Sequence, residues 1–201
     1  MRLPTVLLLL VACASQDERA KPSGFLEPYD GFVPHPERAS AMLYEPEGMD
    51  LGRYDRLMID RVVVWQHPWA EAQEIRPSEL LELADAFHEA LVAAVADAYP
   101  VVLEPGPDVL RLRAALTDVK ARRPGPLRTS AAVAFRGLSI EEVTIEAELL
   151  DSTSGRRLGA IVDKKSGARG LGLGDAGTAA AAFEAWAATL REALDRFHAR
   201  D

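Results

Sequence analysis

Residues 109–117 read VLRLRAALT, a stretch in which apolar and polar side chains alternate. Successive side chains of a β-strand point to opposite faces of its sheet, so the alternation predicts a strand with one apolar and one polar face. On the apolar face we expect Leu110, Leu112, Ala114 and Leu116. On the other face we expect Arg111, Arg113, Ala115 and Thr117. Antiparallel sheets commonly bury one such face and leave the other in water.

A second alternating stretch, residues 143–149, reads VTIEAEL and predicts a similar strand. The sequence DSTSG at 151–155 predicts a turn, with residues 157–163 as the return strand of a hairpin. The polar faces then place four charged residues opposite one another, Arg111, Arg113, Glu146 and Glu148. Exposed pairs contribute under about 1 kcal/mol each, so we interpret them as a hydrated surface and not as a site.

A third strand is predicted over residues 53–65, RYDRLMIDRVVVW, which are rich in β-branched and aromatic side chains. Asp60 and Arg61 interrupt the apolar pattern in its middle. The interruption indicates a bulge or a sheet edge at that point.

Two segments, residues 77–98 and 178–199, have the apolar spacing of amphipathic helices. Pro77 suits the first helical position, where a backbone N–H has no partner within the helix. Two such helices and a sheet with one apolar face predict an α+β fold. We expect a two-layer sandwich with a mixed or antiparallel sheet, both helices on one face, and a polar open face.

Composition narrows the class of protein. A chain of 201 residues, 48% hydrophobic, is long enough for one domain with a sizeable core. Its formal net charge of -8 argues against a nucleic-acid partner, because binding to phosphates needs an excess of Lys and Arg on at least one face. Its single cysteine cannot form an internal disulfide.

That cysteine, Cys13, follows the apolar run LLLLVA at 7–12. The run is far shorter than the roughly 20 apolar residues of a membrane-spanning helix. Its last residues and the cysteine resemble a bacterial lipobox, in which the thiol receives a diacylglycerol and cleavage makes the cysteine the first residue. We therefore predict residues 1–12 as a lipoprotein signal peptide and Cys13 as the lipidation site. The alternatives are an incidental cysteine in a cleaved secretory signal, or the start of a cytosolic strand.

The predicted anchor determines the expected location. Acyl chains such as palmitate hold by about 0.8 kcal/mol per buried methylene, and two or more chains make a stable anchor. Ala14 follows Cys13, whereas an Asp there would favour retention in the inner membrane. We expect the protein on the periplasmic face of the outer membrane, with the membrane as a partner through acylated Cys13.

Composition also divides the chain after the cysteine. Residues 13–24 are polar and small, and we expect the lipidated cysteine followed by a flexible tether. Residues 25–53 mix aromatic residues with prolines, which predicts an extended strap. The strap either packs over the domain or serves as a docking peptide for a partner. Residues 54–201 are the expected single α+β domain.

No catalytic constellation emerges from the sequence. The four histidines show no metal-ligand spacing, and the GLGDAG at 172–177 lacks the strands of a dinucleotide site. We expect no enzymatic activity, no metal and no cofactor. One loop, WQHPW, carries Trp65, His67 and Trp69 between a strand and a helix, where pockets often form. It is either a packed aromatic loop or a site for a ligand or partner.

Several stretches together resemble a bacterial lipoprotein family known as domain of unknown function 3313. They are SGFL, LYEPEGMDL, YDRLMID, LADAFHEAL, YPVV, PGPDVLRLRAALTDV and IEAELLDSTSG. The resemblance covers most of the chain after the tether, and PGPDVLRLRAALTDV is its most specific part. It implies an exported, lipidated α+β domain and transfers no catalytic residue.

Two functions remain as hypotheses. The first is a non-enzymatic accessory lipoprotein of the envelope, of the transport, secretion or assembly type, whose domain binds a protein partner through a sheet edge, the strap or the WQHPW loop. The alternative is a small-ligand-binding protein or an enzyme with a pocket near Trp65, His67 and Trp69.

Overall fold

A computed structural model describes residues 19–65, 75–122, 139–166 and 179–199 of the chain. These residues form seven strands and two helices. The elements, in chain order, are β1 Val33–Pro34, β2 Met42–Tyr44, β3 Arg56–Ile59, β4 Val63–Val64, α1 Pro77–Val95, β5 Val109–Arg122, β6 Ser139–Asp151, β7 Arg157–Ser166 and α2 Ala179–His198.

The strands form one open, mixed sheet in the order β1-β2-β7-β6-β5-β3, and β4 also pairs with β5. The β5, β6 and β7 strands are antiparallel neighbours, as the two alternating stretches predict. The turn between β6 and β7 includes Gly155 at φ +71, a backbone conformation that glycine adopts without strain. The sheet and the two helices confirm the predicted α+β class.

The third predicted strand is divided into β3 and β4, both parallel to β5. Ile59 pairs with Leu112 and Val63 pairs with Ala115, so four steps along one chain match three along the other. The extra residue lies at the interruption that the sequence indicated. It brings Asp60 against Arg111, whose guanidinium donates to both carboxylate oxygens at 2.7–3.2 Å.

Both helices pack on the apolar face of the sheet. Phe87 of α1 stacks on Phe183 of α2 with ring centroids 5.0 Å apart. Further along, Arg191 donates to the carbonyl of Ala94. Residue numbers at these two contacts increase together on both helices, so α1 and α2 run parallel. In the described part of the chain, no helix is long and apolar enough to span a membrane.

The polar face of the sheet is covered around β6 and β7 by residues 20–44, most of which belong to the predicted strap. Leu26 is fully buried and packs with Ala160 and Val162 of β7. This segment also supplies β1 and β2 to the sheet. Of the two alternatives for the strap, packing over the domain is the one observed. The strap is part of the folded unit.

Two sequence expectations are wrong in detail. Glu146 and Glu148 are buried, with 0% and 3% exposure, because the strap lies over them. The flexible tether cannot extend to residue 24, because Ala20 and Ser23 are buried and the N–H of Ala20 donates to the carbonyl of Ser40. The chain is packed against the domain from Ala20 onward.

Candidate functional site

The most concentrated polar chemistry in the described residues lies between the strap and β6. Alternation along β6 points Glu146 at the covered face, where the described donors to its carboxylate all belong to the packed segment 20–44, called the strap from here on. The donors are the backbone N–H groups of Ser23 and Leu26, the latter at 3.2 Å, and the hydroxyl of Tyr29 at 2.6 Å. A buried carboxylate needs such donors because its water has been removed. Glu146 therefore holds the strap on the sheet.

Tyr29 extends this network. Its hydroxyl oxygen accepts from the N–H of Gly24 at 2.8 Å and of Leu26 at 3.2 Å while it donates to Glu146. Burial, reinforced by the hydrogen bond to the Glu146 carboxylate, raises the pKa of Tyr29 to about 12. The phenol therefore stays protonated, and a donor, across the physiological pH range.

Glu148, two residues further along β6, binds two guanidinium groups. Arg113 of β5 donates at 2.7 Å and Arg157 of β7 at 2.8 Å. Arg157 also donates to the carbonyl of Leu26 at 2.6 Å and of Pro28 at 2.8 Å. Glu146 thus accepts from the donors of the strap, and Arg157 donates to its carbonyls, so the two residues recognise both polar edges of an extended chain.

Aromatic rings border this network on both sides. Tyr29 and Phe32 lie 5.5 Å apart, and Phe32 and Tyr44 lie 5.7 Å apart between ring centroids. On the other side, the guanidinium of Arg113 lies 5.3 Å from the ring of Phe25, which contacts Trp65 at 5.9 Å. Cations over aromatic faces are attracted by the ring quadrupole, more strongly where water is excluded.

A second buried carboxylate, Asp163 of β7, faces the helices. It accepts from the hydroxyl of Ser40 at 2.8 Å and from the indole N–H of Trp186 at 2.9 Å. Arg38 pairs with it at 3.3 Å. Asp163 therefore joins the end of the strap, the sheet and α2 at one point. The ammonium of Lys165 lies 5.4 Å from the Trp186 ring, and burial lowers the pKa of that ammonium.

The predicted site residues are described only in part. Trp65 is 45% exposed, and its backbone N–H donates to the carbonyl of Leu116 at 2.8 Å. His67, Trp69 and Cys13 lie outside the described residues. Arg113 does pair with Glu148 as expected, whereas Arg111 binds Asp60 instead.

Sequence reasoning missed Glu146, Tyr29 and Asp163 as a group. Glu146 lies on the polar side of an alternating strand, where a carboxylate has the same sequence signature whether water or a buried donor faces it. Within the described ranges, no three His, Cys, Asp or Glu side chains are grouped so that they could hold a metal ion. The arrangement that is described serves to bind a peptide chain, namely the protein's own strap.

Two of the solved structures to which this chain is similar are PelC dodecamers from Paraburkholderia phytofirmans. A PelC variant in one crystal form is 14% identical, covers 80% of this chain and 99% of its own, and has a TM-score of 0.39. PelC in another crystal form is 12% identical, covers 74% and 94%, and has a TM-score of 0.42.

Comparison with curated proteins finds no match. Comparison with protein families does, because the family described as "Protein of unknown function (DUF3313)" matches residues 21–190, from the start of the packed strap to the second half of α2. The chain therefore belongs to the DUF3313 family.

Proposed function

We propose that the protein is a lipid-anchored envelope protein whose domain binds a protein partner without catalysing a reaction. The observation that carries the proposal is the way the chain enters the fold. Only six residues, 14–19, separate Cys13 from the buried Ala20. Six extended residues span about 20 Å, so a lipidated Cys13 would hold the domain close to the membrane surface.

The strap network supports an anchoring role for this segment. Ser23, Leu26 and Tyr29 all donate to Glu146 in the middle of the sheet. If Cys13 is acylated, these hydrogen bonds would connect the anchored segment to β6. Glu146 and Arg157 bond directly to the strap, and Glu148 holds Arg157 in place, which fits a structural role for all three.

The two faces of the sheet are covered by different parts of the chain. The strap covers one face of the sheet and both helices cover the other. In the proposed arrangement the strap carries the anchored end of the chain, which would leave the outer surface of the helical layer free for a partner. That layer is the surface most open to a partner in the periplasm.

The test compares the wild type with Cys13→Ser and Ala14→Asp in a Gram-negative host. We expect the wild-type protein to incorporate labelled palmitate and to fractionate with the outer membrane. Cys13→Ser should lack the label and become soluble, and Ala14→Asp should keep the label but move to the inner membrane. A Cys13→Ser protein that remains in the membrane fraction contradicts the anchor.

Affinity purification from solubilised membranes tests the second half of the proposal. Wild-type protein is expected to retain a stoichiometric protein partner through washing. Recovery of the protein without any partner, by both affinity purification and chemical crosslinking, contradicts the protein-binding role while leaving the anchor intact.

A further inference from the structure

A groove runs between α1 and α2 on the outer surface of the helical layer. Its volume is about 740 Å³. The buried side chains of Phe183 and Ala187 lie at its base, and the partly exposed Ala90 and Ala94 line the α1 side. On α2 the lining extends from residue 180 to residue 192, about 18 Å of helix or roughly three turns.

The groove is shaped for close approach by another helix. Small side chains let helix axes come within about 8–10 Å, and its walls are mainly alanine. Alanine is also the best helix former, so its abundance alone does not decide what binds there. The charges on the rim supply the missing information.

Three glutamates stand on the rim, Glu89 on α1 with Glu184 and Glu192 on α2, and all are exposed. No ion pair within the described part of the chain involves their carboxylates. The guanidinium that lines the groove, that of Arg191, is held by Asp97 at 2.5 Å and Asp195 at 2.9 Å. The rim therefore presents uncompensated negative charge to whatever enters the groove.

That charge discriminates between occupants. A second copy placed groove to groove would bring the two sets of glutamates together, and anionic lipid headgroups would be repelled in the same way. A helix with an apolar stripe flanked by Lys or Arg satisfies both the alanine walls and the acidic rim.

We propose that the groove between α1 and α2 binds a cationic amphipathic helix of a partner protein. This inference rests on the protein-binding role proposed above and names the surface and the chemistry of the partner.

Site-specific photocrosslinking in cells that produce the protein naturally tests the inference. A benzophenone amino acid is placed at Ala93 or Ala188, which are exposed in the groove, and at the exposed Trp65 and Glu37, which do not line it. We expect the groove positions to crosslink to a segment that mass spectrometry identifies as a helix with an apolar stripe and flanking Lys or Arg. A crosslink to a second copy, or to a segment without that pattern, overturns the proposal.

The outcomes separate this inference from the broader function. Crosslinks to a partner from Trp65 alone overturn the groove and leave the protein-binding role standing. The absence of crosslinks at every position overturns both.

Charge reversal provides the matched control. The triple variant Glu89→Lys, Glu184→Lys, Glu192→Lys should lower the yield of the groove crosslink roughly tenfold, the combined effect of three exposed ion pairs. The control triple Glu27→Lys, Asp30→Lys, Glu37→Lys makes the same change in net charge on the exposed strap. It should leave the yield within about twofold. Equal losses in both variants, with unchanged thermal melts, would show that net charge matters and the groove does not.

Discussion

The hydroxyl of Tyr29 donates a hydrogen bond to the carboxylate of Glu146 across 2.6 Å, although 117 residues separate them in the chain. The contact connects the segment that follows Cys13 with β6, the middle one of the three antiparallel strands β5, β6 and β7. Two backbone N–H groups of the same segment point at the same carboxylate. Glu146 is thus one of the residues that hold the strap over the polar face, together with Arg157 and Asp163.

Replacement of Glu146 should release the strap. In Glu146→Gln an amide NH2 group, which cannot accept a hydrogen bond, replaces one of the two accepting oxygens. We therefore expect the free energy of unfolding to fall by about 2–3 kcal/mol. Amide hydrogen exchange at Ser23 and Leu26 should accelerate more than exchange in β6. The control is Glu27→Gln, an exposed position in the same strap, which should leave both quantities unchanged. Unaltered exchange at Ser23 and Leu26 in Glu146→Gln would contradict the role of the carboxylate.

Tyr29 predicts a loss of stability at alkaline pH. Its folded pKa of about 12 exceeds the ordinary value of 10.0, so its stabilising contribution is complete below pH 10 and is lost as the pH rises toward 12. Tyr29→Phe should cost about 1–2 kcal/mol at pH 7 and should show a shallower decline above pH 10. Urea unfolding at pH 7, 10 and 11 measures both effects. The hydroxyl of Tyr44 has no hydrogen bond among the described residues, so Tyr44→Phe should show the same decline of stability with pH as the wild type.

Asp151 predicts the opposite dependence at acid pH. Hydrogen bonds from Ser154, Thr153 and Tyr54 hold the pKa of this buried carboxyl well below its ordinary value. A depressed folded pKa contributes stability above the ordinary pKa near 3.8, and that contribution is lost as the pH falls below it. Asp151→Asn should cost about 2–3 kcal/mol at pH 7, and the difference from the wild type should shrink between pH 4 and pH 2. A difference that stays constant over this range would show that the charge of Asp151 has no part in the effect.

Arg157 and its neighbour Arg156 form a matched pair. Arg157 binds Glu148 and two strap carbonyls, whereas Arg156 is exposed. Arg157→Ala leaves Glu148 with one guanidinium partner and should lower stability by about 2–4 kcal/mol. It should also expose the strap to limited proteolysis. Arg156→Ala removes the same charge and should change stability by less than about 0.5 kcal/mol. Equal effects of the two substitutions would contradict recognition of the strap by Arg157.

Much of the fold follows from periodicity in the sequence. The alternation in β5 and β6 and the DSTSG turn predict the hairpin, and Pro77 coincides with the first residue of α1. These signals are local, because side-chain direction repeats every two residues in a strand and about every 3.6 in a helix. The interruption at Asp60 likewise marks the place where β3 ends.

The candidate site was far less accessible to such reasoning. Aromatic residues around a loop, such as Trp65, are visible in the sequence, whereas the regular alternation around Glu146 predicts a hydrated carboxylate. Periodicity says which face of a sheet a side chain points to, but it does not say what lies above that face. The strap reaches Glu146 across more than a hundred residues, and no local pattern records such a contact.

The sequence by itself therefore determined the α+β class, the helices and the two-faced sheet, since each follows from the spacing of neighbouring side chains. Only the tertiary structure decided that residues 20–44 cover the polar face, that Glu146 and Asp163 are buried against donors from the strap, and that a groove with an acidic rim lies on the outer surface of the helices. These features depend on contacts between distant segments, where the loss of water from a carboxylate is compensated by donors that the folded chain brings to it.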